Sequence, residues 1–468
     1  MKVKTVPSAW VRRDGRRFDC GPYMSGALEA KIRLEELACR KDRLADLTAG
    51  HAGGIYNGPQ FVRNFVDDAE HGVPFLGTSS MLRADLSDLP LLRKCDALST
   101  KLSYLRVDSG MTLISCSGTI GRMVYARPDM AGMWSNQDIL KVVPNEKKVR
   151  SGYVYAFLSS KFGVPLVTSG TYGAIIQHIE PQHIADLPVP RLGDEVERNV
   201  HLLVEEAGKL RTEASKLLAE AVRDLEALAA LKPLQAPGNS TPFSCVAVPA
   251  SAVQERFDAF FHSPYGNQVV AHLRSGPIGT TTVGSLASAI VEPNRFKRIR
   301  IDDPAFGVRF FGTAALMWSE PIEMYFLPKN QQGVKQYIVT ERTVLIPRSG
   351  QLSGIIGTAV LPYGDILGGA VSEDAIRIHC ENANTAGFVF VALTSPYGVR
   401  QLKARAYGSS IPHLDVHQIS RVVLPDPGDS ERKRIGKQGA KVAALRHAAV
   451  LKEREARALV ERAIEEAA

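Results

Sequence analysis

The sequence predicts a mixed α/β (α+β) fold: two duplicated globular domains and two long helices that pair as an antiparallel coiled coil. Two observations predict it. The chain repeats itself at a spacing of 235 residues, and each copy runs into a long stretch with coiled-coil periodicity.

The repeat is legible without gaps. Residues 152–194 align on residues 387–429 with 14 of 43 positions identical, and residues 61–78 align on 296–313 with nine of 18 identical. Arg17-Phe18-Asp19 recurs as Arg256-Phe257-Asp258. Residues 113–125 answer to 345–361, with four residues inserted after the Ser-Gly of the second copy. Residues 79–110 and 314–342 show no match. A shared framework with dissimilar segments inside it implies one fold carrying two specificities.

Within each copy the elements follow in the same order. Apolar runs at 111–116 and 344–347, bounded by Gly and Pro, predict strands. Residues 152–161 and their twin predict a short helix. The Leu-Pro-Val-Pro and Val-Leu-Pro-Asp-Pro stretches predict a last strand that stops at proline. Gly193-Asp194 and Gly428-Asp429 then open the long helices, with the Asp suited to capping the free N–H groups of a first turn.

After the first cap, apolar residues alternate at spacings of four and three: Val196, Val200, Leu203, Ala207, Leu210, Ala214, Leu217 and Ala221. Leu225 and Leu228 continue one step out of register. The second helix offers Ile435, Val442, Leu445, Ala449, Ala456, Leu459 and Ala463, with Gly436 and Gly439 weakening its first turns. Residues 194–232 hold nine acidic and six basic groups, and residues 429–468 hold seven and ten. The opposite signs favour pairing of the two helices, each a rod of roughly 50 Å, over folding of each onto its own domain. The pairing residues expected from the stripe are Val196, Val200, Leu203, Leu210, Leu217, Val442, Leu445 and Leu459. The domain plan is 1–193, helix 194–232, linker 233–242, 243–428 and helix 429–468.

Composition narrows the class. Of the 468 residues 45% are hydrophobic and 23% charged, with a net charge of +8, the balance of a globular chain that can meet a polyanion. No apolar run reaches the ~20 residues of a membrane span, and the N-terminus lacks a secretory core, so a cytoplasmic location is expected. The six cysteines are scattered without a C-x-x-C pair, which argues against a zinc knuckle or a disulfide framework.

The order of domains and helices resembles that of the specificity subunit of type I restriction–modification systems. The local stretches that carry the resemblance are Arg-Phe-Asp near each domain start, Ser-Gly-Thr-Ile-Gly at 117–121, and Gly-Thr-Tyr-Gly followed by Ile-Gln-His-Ile over 170–179. The last is the Leu-Pro-Val-Pro strand that leads into the long helix. The second copy departs from it at 349–357, SGQLSGIIG, and has Ala406 before Tyr407-Gly408. The resemblance implies two target recognition domains, each reading one half of a split DNA site. The helices would set the gap and dock two adenine methyltransferase subunits, and a restriction/translocase subunit would join for cleavage. S-adenosylmethionine would belong to the methyltransferase, leaving no cofactor and no metal in this chain.

Base reading needs polar side chains at groove edges, and basic residues hold phosphates. Candidate DNA contacts are Thr78, Ser79, Ser80, Arg83, Lys101, Ser117, Thr119, Arg122, Thr171 and Tyr172 in the first copy. In the second they are Lys329, Gln331, Lys335, Arg348, Ser349 and Tyr407, with Asn330 and Gln332 beside them. Two unlike readers imply an asymmetric site.

Other signals read structurally. The chain has no Asn/Asp-Pro-Pro-aromatic motif and no Gly-rich cofactor loop of a methyltransferase. Ser-Gly-Thr-Ile-Gly lacks the Gly-Lys-Ser/Thr ending of a phosphate cradle and reads as a turn. His178 and His413 are equivalent but lack catalytic company, which favours a framework role. Asp67-Asp68 and Asp302-Asp303 fit turn chemistry better than metal ligation. Tyr172 and Tyr407 either line the DNA face or pack. The rival functions are a specificity module of another DNA-defence assembly and an unrecognised DNA-modifying enzyme.

Overall fold

The computed structural model describes residues 3–13, 21–169, 178–234, 245–254 and 256–467. Arg17, Phe18, Asp19, Thr171, Tyr172 and most of the 233–242 linker lie outside the described residues. The fold is α+β, in two units. The first comprises Met1–Thr212 with Ala448–Ala468, and the second comprises Glu213–His447. Each long helix, Asp194–Leu228 and Asp429–Glu466, contributes residues to both.

In the first unit, one four-stranded sheet runs in the order Ile55–Tyr56, Ile139–Val142, Thr112–Ser115, Met123–Tyr125. Thr112–Ser115 is buried at every position, so both faces are covered and its sequence, Thr-Leu-Ile-Ser, shows no apolar–polar alternation. A second four-stranded sheet, Phe65–Val66, Leu91–Arg93, Gly72–Leu76, Trp134–Ser135, closes with a parallel pair in which Phe75 faces Trp134. The helix Ser151–Leu158 is buried all round, as its uniformly apolar sequence demands. It shares a core with Val200 and Val204 of one long helix and Ala456, Val460 and Ile464 of the other.

The second unit repeats this plan. Its three-stranded sheet runs Ala287–Val291, Ala375–Cys380, Thr343–Pro347. Its other sheet, Tyr325–Pro328, Gly307–Phe311, Ala370–Val371, again closes with a parallel pair, Phe310 facing Ala370. The helix Ala383–Thr394 is buried from Ala386 to Leu393 and packs with Ala214, Leu218, Ala221, Leu225, Ile435 and Val442.

The long helices are antiparallel within each unit. In the second unit Glu213 lies 3.5 Å from Lys441, and Asp224 lies 2.6 Å from Arg434. In the first unit Glu206 lies 3.1 Å from Lys452. The fully buried seam is Val200, Val204, Ala207, Arg211, Ala214, Leu218, Ala221 and Leu225. On the second helix it is Ile435, Gly439, Val442, Arg446, Ala449, Glu453, Ala456 and Val460. Each position of one series lies 235 residues from a position of the other, so the duplication extends through the helices.

This seam differs from the leucine stripe at alternate positions. Leu203, Leu210, Leu217, Leu445 and Leu459 are half-buried on its flank, as is Val196, while Val200 and Val442 lie in it. Leu225 is in register with it. At two of these positions the seam holds Arg211 and Arg446, which a search for apolar residues skips in favour of the neighbouring Leu210 and Leu445; at the others two adjacent apolar residues compete and only packing selects Val204, Leu218 and Val460.

Gly436 and Gly439 are not merely weak helix formers. A Cβ at Gly436 would lie 2.1 Å from the Asn384 carbonyl oxygen, and one at Gly439 would lie 2.4 Å from that of Gly387. These glycines let the helix Ala383–Thr394 approach the long helix backbone to backbone. Helix propensity alone predicts that Gly436→Ala stabilises by about 1 kcal/mol. The contact reverses the sign, and a net loss of about 1–3 kcal/mol is expected in urea unfolding. A stabilised variant would show that the backbones are not in contact.

Candidate nucleic-acid interface

Most of the described sequence candidates in the first unit fall at two turns. The strand Gly72–Leu76 ends in a turn closed by Ser80, whose hydroxyl accepts the Gly77 N–H at 2.7 Å and donates to the Gly77 carbonyl at 3.1 Å. Ser80 is therefore committed, while Ser79 is exposed and Thr78 half-buried. Arg83 lies 2.9 Å from Asp88, and Lys101 is exposed. In the Ser-Gly-Thr-Ile-Gly turn, Ser115 Oγ accepts the Arg122 N–H at 3.0 Å and donates to the Thr119 carbonyl at 2.5 Å. That leaves the Thr119 side chain exposed and Arg122 half-buried. Ser117 forms a β-bridge with His178.

The second unit builds the same junction. Ser349 bridges to His413, with Oγ 2.9 Å from Nδ1, and His413 pairs through its backbone with Tyr407. The inserted residues do not disturb closure: the Gly357 N–H meets the Pro347 carbonyl at 3.1 Å, as the Gly121 N–H meets that of Ser115 at 2.9 Å. Arg256 ties the Arg-Phe-Asp motif to this locus. It donates to the Arg405 and Ala406 carbonyls and lies 5.6 Å from the Tyr407 ring. Tyr407 is 41% exposed and Phe257 89%. Arg348 is paired with Glu292, which removes it as a free cation. The histidines thus hold two turns together, a framework arrangement.

A separate locus gathers Lys329, Gln331 and Lys335. Gln331 is spent on the backbone of the preceding segment: Nε2 donates to the Lys297 carbonyl at 2.7 Å and Oε1 accepts the Ile299 N–H at 3.4 Å. Lys329 Nζ donates to the Ala305 carbonyl at 2.9 Å, and Lys335 is exposed. The sequence reading passed over Arg295, Lys297 and Arg300, all exposed in this clipped segment. The basic run Arg295–Arg300 is the signal that marks them, within a stretch that otherwise aligns on the first copy.

One framework arginine is shared. Arg63 donates to Gln137 at 3.0 Å and lies 5.9 Å from the Phe75 ring. Its equivalent Arg298 pairs with Glu373 and lies 4.8 Å from Phe310. Deeper, each unit buries one cation at the same sheet position. Lys141 donates to Ser135 Oγ and lies 5.3 Å from the Tyr56 ring, and burial pushes its pKa down to about 7. Arg377 donates to the Val371, Ser372 and Ala375 carbonyls, and burial pulls its pKa down to about 10.

The acidic pairs serve as turns. Asp68 accepts the Glu70 N–H at 2.9 Å and meets the His71 ring, and Asp303 accepts the Ala305 N–H at 2.9 Å. Asp68, Glu70 and His71 bring ligand atoms within 4.8 Å of one another, all exposed. No helix among the described residues is long and apolar enough to cross a membrane.

Fold and loci together define a class: a duplicated α+β chain with equivalent polar turns on a common framework and dissimilar segments between them. Among solved structures, the chain is similar to the type I restriction–modification S subunit from M. genitalium. The identity is 12%, the match covers 92% of this chain and 96% of that one, and the TM-score is 0.28. It is similar to the HsdS subunit from Thermoanaerobacter tengcongensis at 16% identity, covering 92% and 96%, with a TM-score of 0.27. A structure of the type I R-M system concerned with complex assembly and conformational transition matches at 15% identity, covering 92% and 97%, with a TM-score of 0.26. No family model and no curated protein matches the chain.

Proposed function

We propose that the chain is the sequence-reading subunit of a type I restriction–modification complex. It is non-catalytic: its two copies each read one half of an asymmetric, split duplex target. The long helices set the gap and dock two adenine methyltransferase subunits, and a restriction/translocase subunit completes the assembly in the cytoplasm. S-adenosylmethionine is held by the methyltransferase. The observation that carries this reading is the duplication itself. Turns, buried helix and seam recur at equivalent positions, whereas residues 79–110 and 314–342, which a common partner would not distinguish, do not match.

Half-site independence is the test. Residues 1–193 are exchanged for the corresponding block of a relative, and the methylated motif is sequenced in cells that supply the methyltransferase. The expected result is a change in one half of the motif with the other half kept. A change in both halves, or in neither, rejects the reading.

A further inference from the structure

The two copies differ in charge within a stretch where their framework is closely alike. Residues 60–66 and 295–301 are equivalent, and both carry the arginine that packs on the sheet, Arg63 and Arg298. Around that arginine the exposed positions diverge. The second copy places Arg295, Lys297 and Arg300 there, and the first places Gln60, Val62 and Phe65. Val62 is 80% exposed and Phe65 49%, so at these three positions the second copy presents cations and the first none, leaving the exposed Arg63 as the only cation of residues 60–66.

These cations are held in place. The Gln331 side chain clips the backbone on both sides of Arg298, at the Lys297 carbonyl and the Ile299 N–H. Arg300 lies 4.6 Å from the Tyr325 ring, and Ile301 bridges to Phe326 in the adjoining hairpin. Arg298 is neutralised by Glu373, but no ion pair engages Lys297 or Arg300 among the described residues. Asp303 caps the turn Pro304–Phe306, and Asp302 is exposed beside it. Lys329 adjoins the same segment through its bond to the Ala305 carbonyl. An ordered backbone presenting unpaired cations is what regularly spaced phosphates require, because contact then costs little ordering of the protein.

We infer that residues 295–300 of the second copy, clipped by Gln331, form a phosphate-gripping edge for duplex DNA that the first copy lacks. The two half-sites are therefore held unequally. At this edge the second copy adds salt-dependent affinity through Lys297 and Arg300, where the first copy has Val62 and Phe65. This rests on the DNA-reading function proposed above.

The test needs no knowledge of the target, because phosphate contact is sequence-independent. The full-length chain is titrated with a fluorescent duplex of mixed sequence between about 50 and 200 mM salt, and log K is plotted against log[salt]. Lys297→Ala and Arg300→Ala are each expected to make the slope shallower by about 0.9, and the double variant by twice that. Val62→Ala and Phe65→Ala should leave the slope unchanged. Gln331→Ala removes no charge, yet is expected to reduce the slope because the segment is no longer held. A wild-type slope in the double variant, with its melting curve unchanged, overturns the inference while leaving DNA binding intact. A wild-type chain that binds no duplex at all overturns the DNA-reading function with it.

Discussion

Replacing Glu453 with leucine is expected to destabilise the chain by about 3–5 kcal/mol. Glu453 and Arg211 are both buried within the first unit, with side chains 3% and 8% exposed. Both guanidinium nitrogens of Arg211 engage the carboxylate, one of them at 3.0 Å, and Arg457 lies 3.9 Å away. Burial by itself would raise the pKa of this carboxyl, but the two arginines hold it below the usual range. The variant leaves the buried Arg211 without its carboxylate counter-charge, and that imbalance is the source of the loss. Arg211→Met combined with Glu453→Leu removes both charges and should recover most of the stability. The urea midpoints of the three proteins check this. A loss below about 1 kcal/mol in the single variant would mean that the arginine finds another acceptor or water. The second copy shows what the pairing adds. Arg446 and Leu218 hold the equivalent positions, and Arg446 is buried with Nη2 unpaired, 6.0 Å from the Tyr363 ring.

The other large effect is a rise in stability with pH. Lys141 is fully buried with Ser135 Oγ as acceptor, and burial lowers its pKa to about 7. In the unfolded chain a lysine titrates near 10.4. Between these values the unfolded state binds more protons than the folded state, so stability climbs as pH rises. The slope attributable to Lys141 is at most about 1.4 kcal/mol per pH unit. It begins near neutrality, ends near the ordinary lysine value and is absent below pH 7. Lys141→Met is expected to abolish this slope and to raise stability at neutral pH. Urea unfolding across the window decides it: equal pH dependence in the two proteins would show that Lys141 stays charged in the fold. Arg377, at the equivalent position, spreads its donors over three carbonyls, an arrangement suited to a guanidinium and unavailable to a single ammonium.

The sequence by itself determined the duplication, the order of elements in each copy and the presence of two long helices. Those follow from short-range regularities: identical spacing in the repeat, glycine and proline at the ends of apolar runs, and a stripe of period three and four. The buried helices were legible because a segment apolar on every face has nowhere to go but inside. The tertiary structure alone decided which residues occupy the seam. Arg211 is paired there with Glu453, which arrives from 242 residues away, and no local pattern carries that information. It also decided that Gly436 and Gly439 serve a backbone contact, since their value lies in the carbonyls of Asn384 and Gly387. In the candidate interface it spent Gln331 and Ser80 on the backbone, neutralised Arg348, and left Lys297 and Arg300 exposed. Residue type lists the hydrogen bonds a side chain can make; the neighbours brought by folding decide which of them are already made.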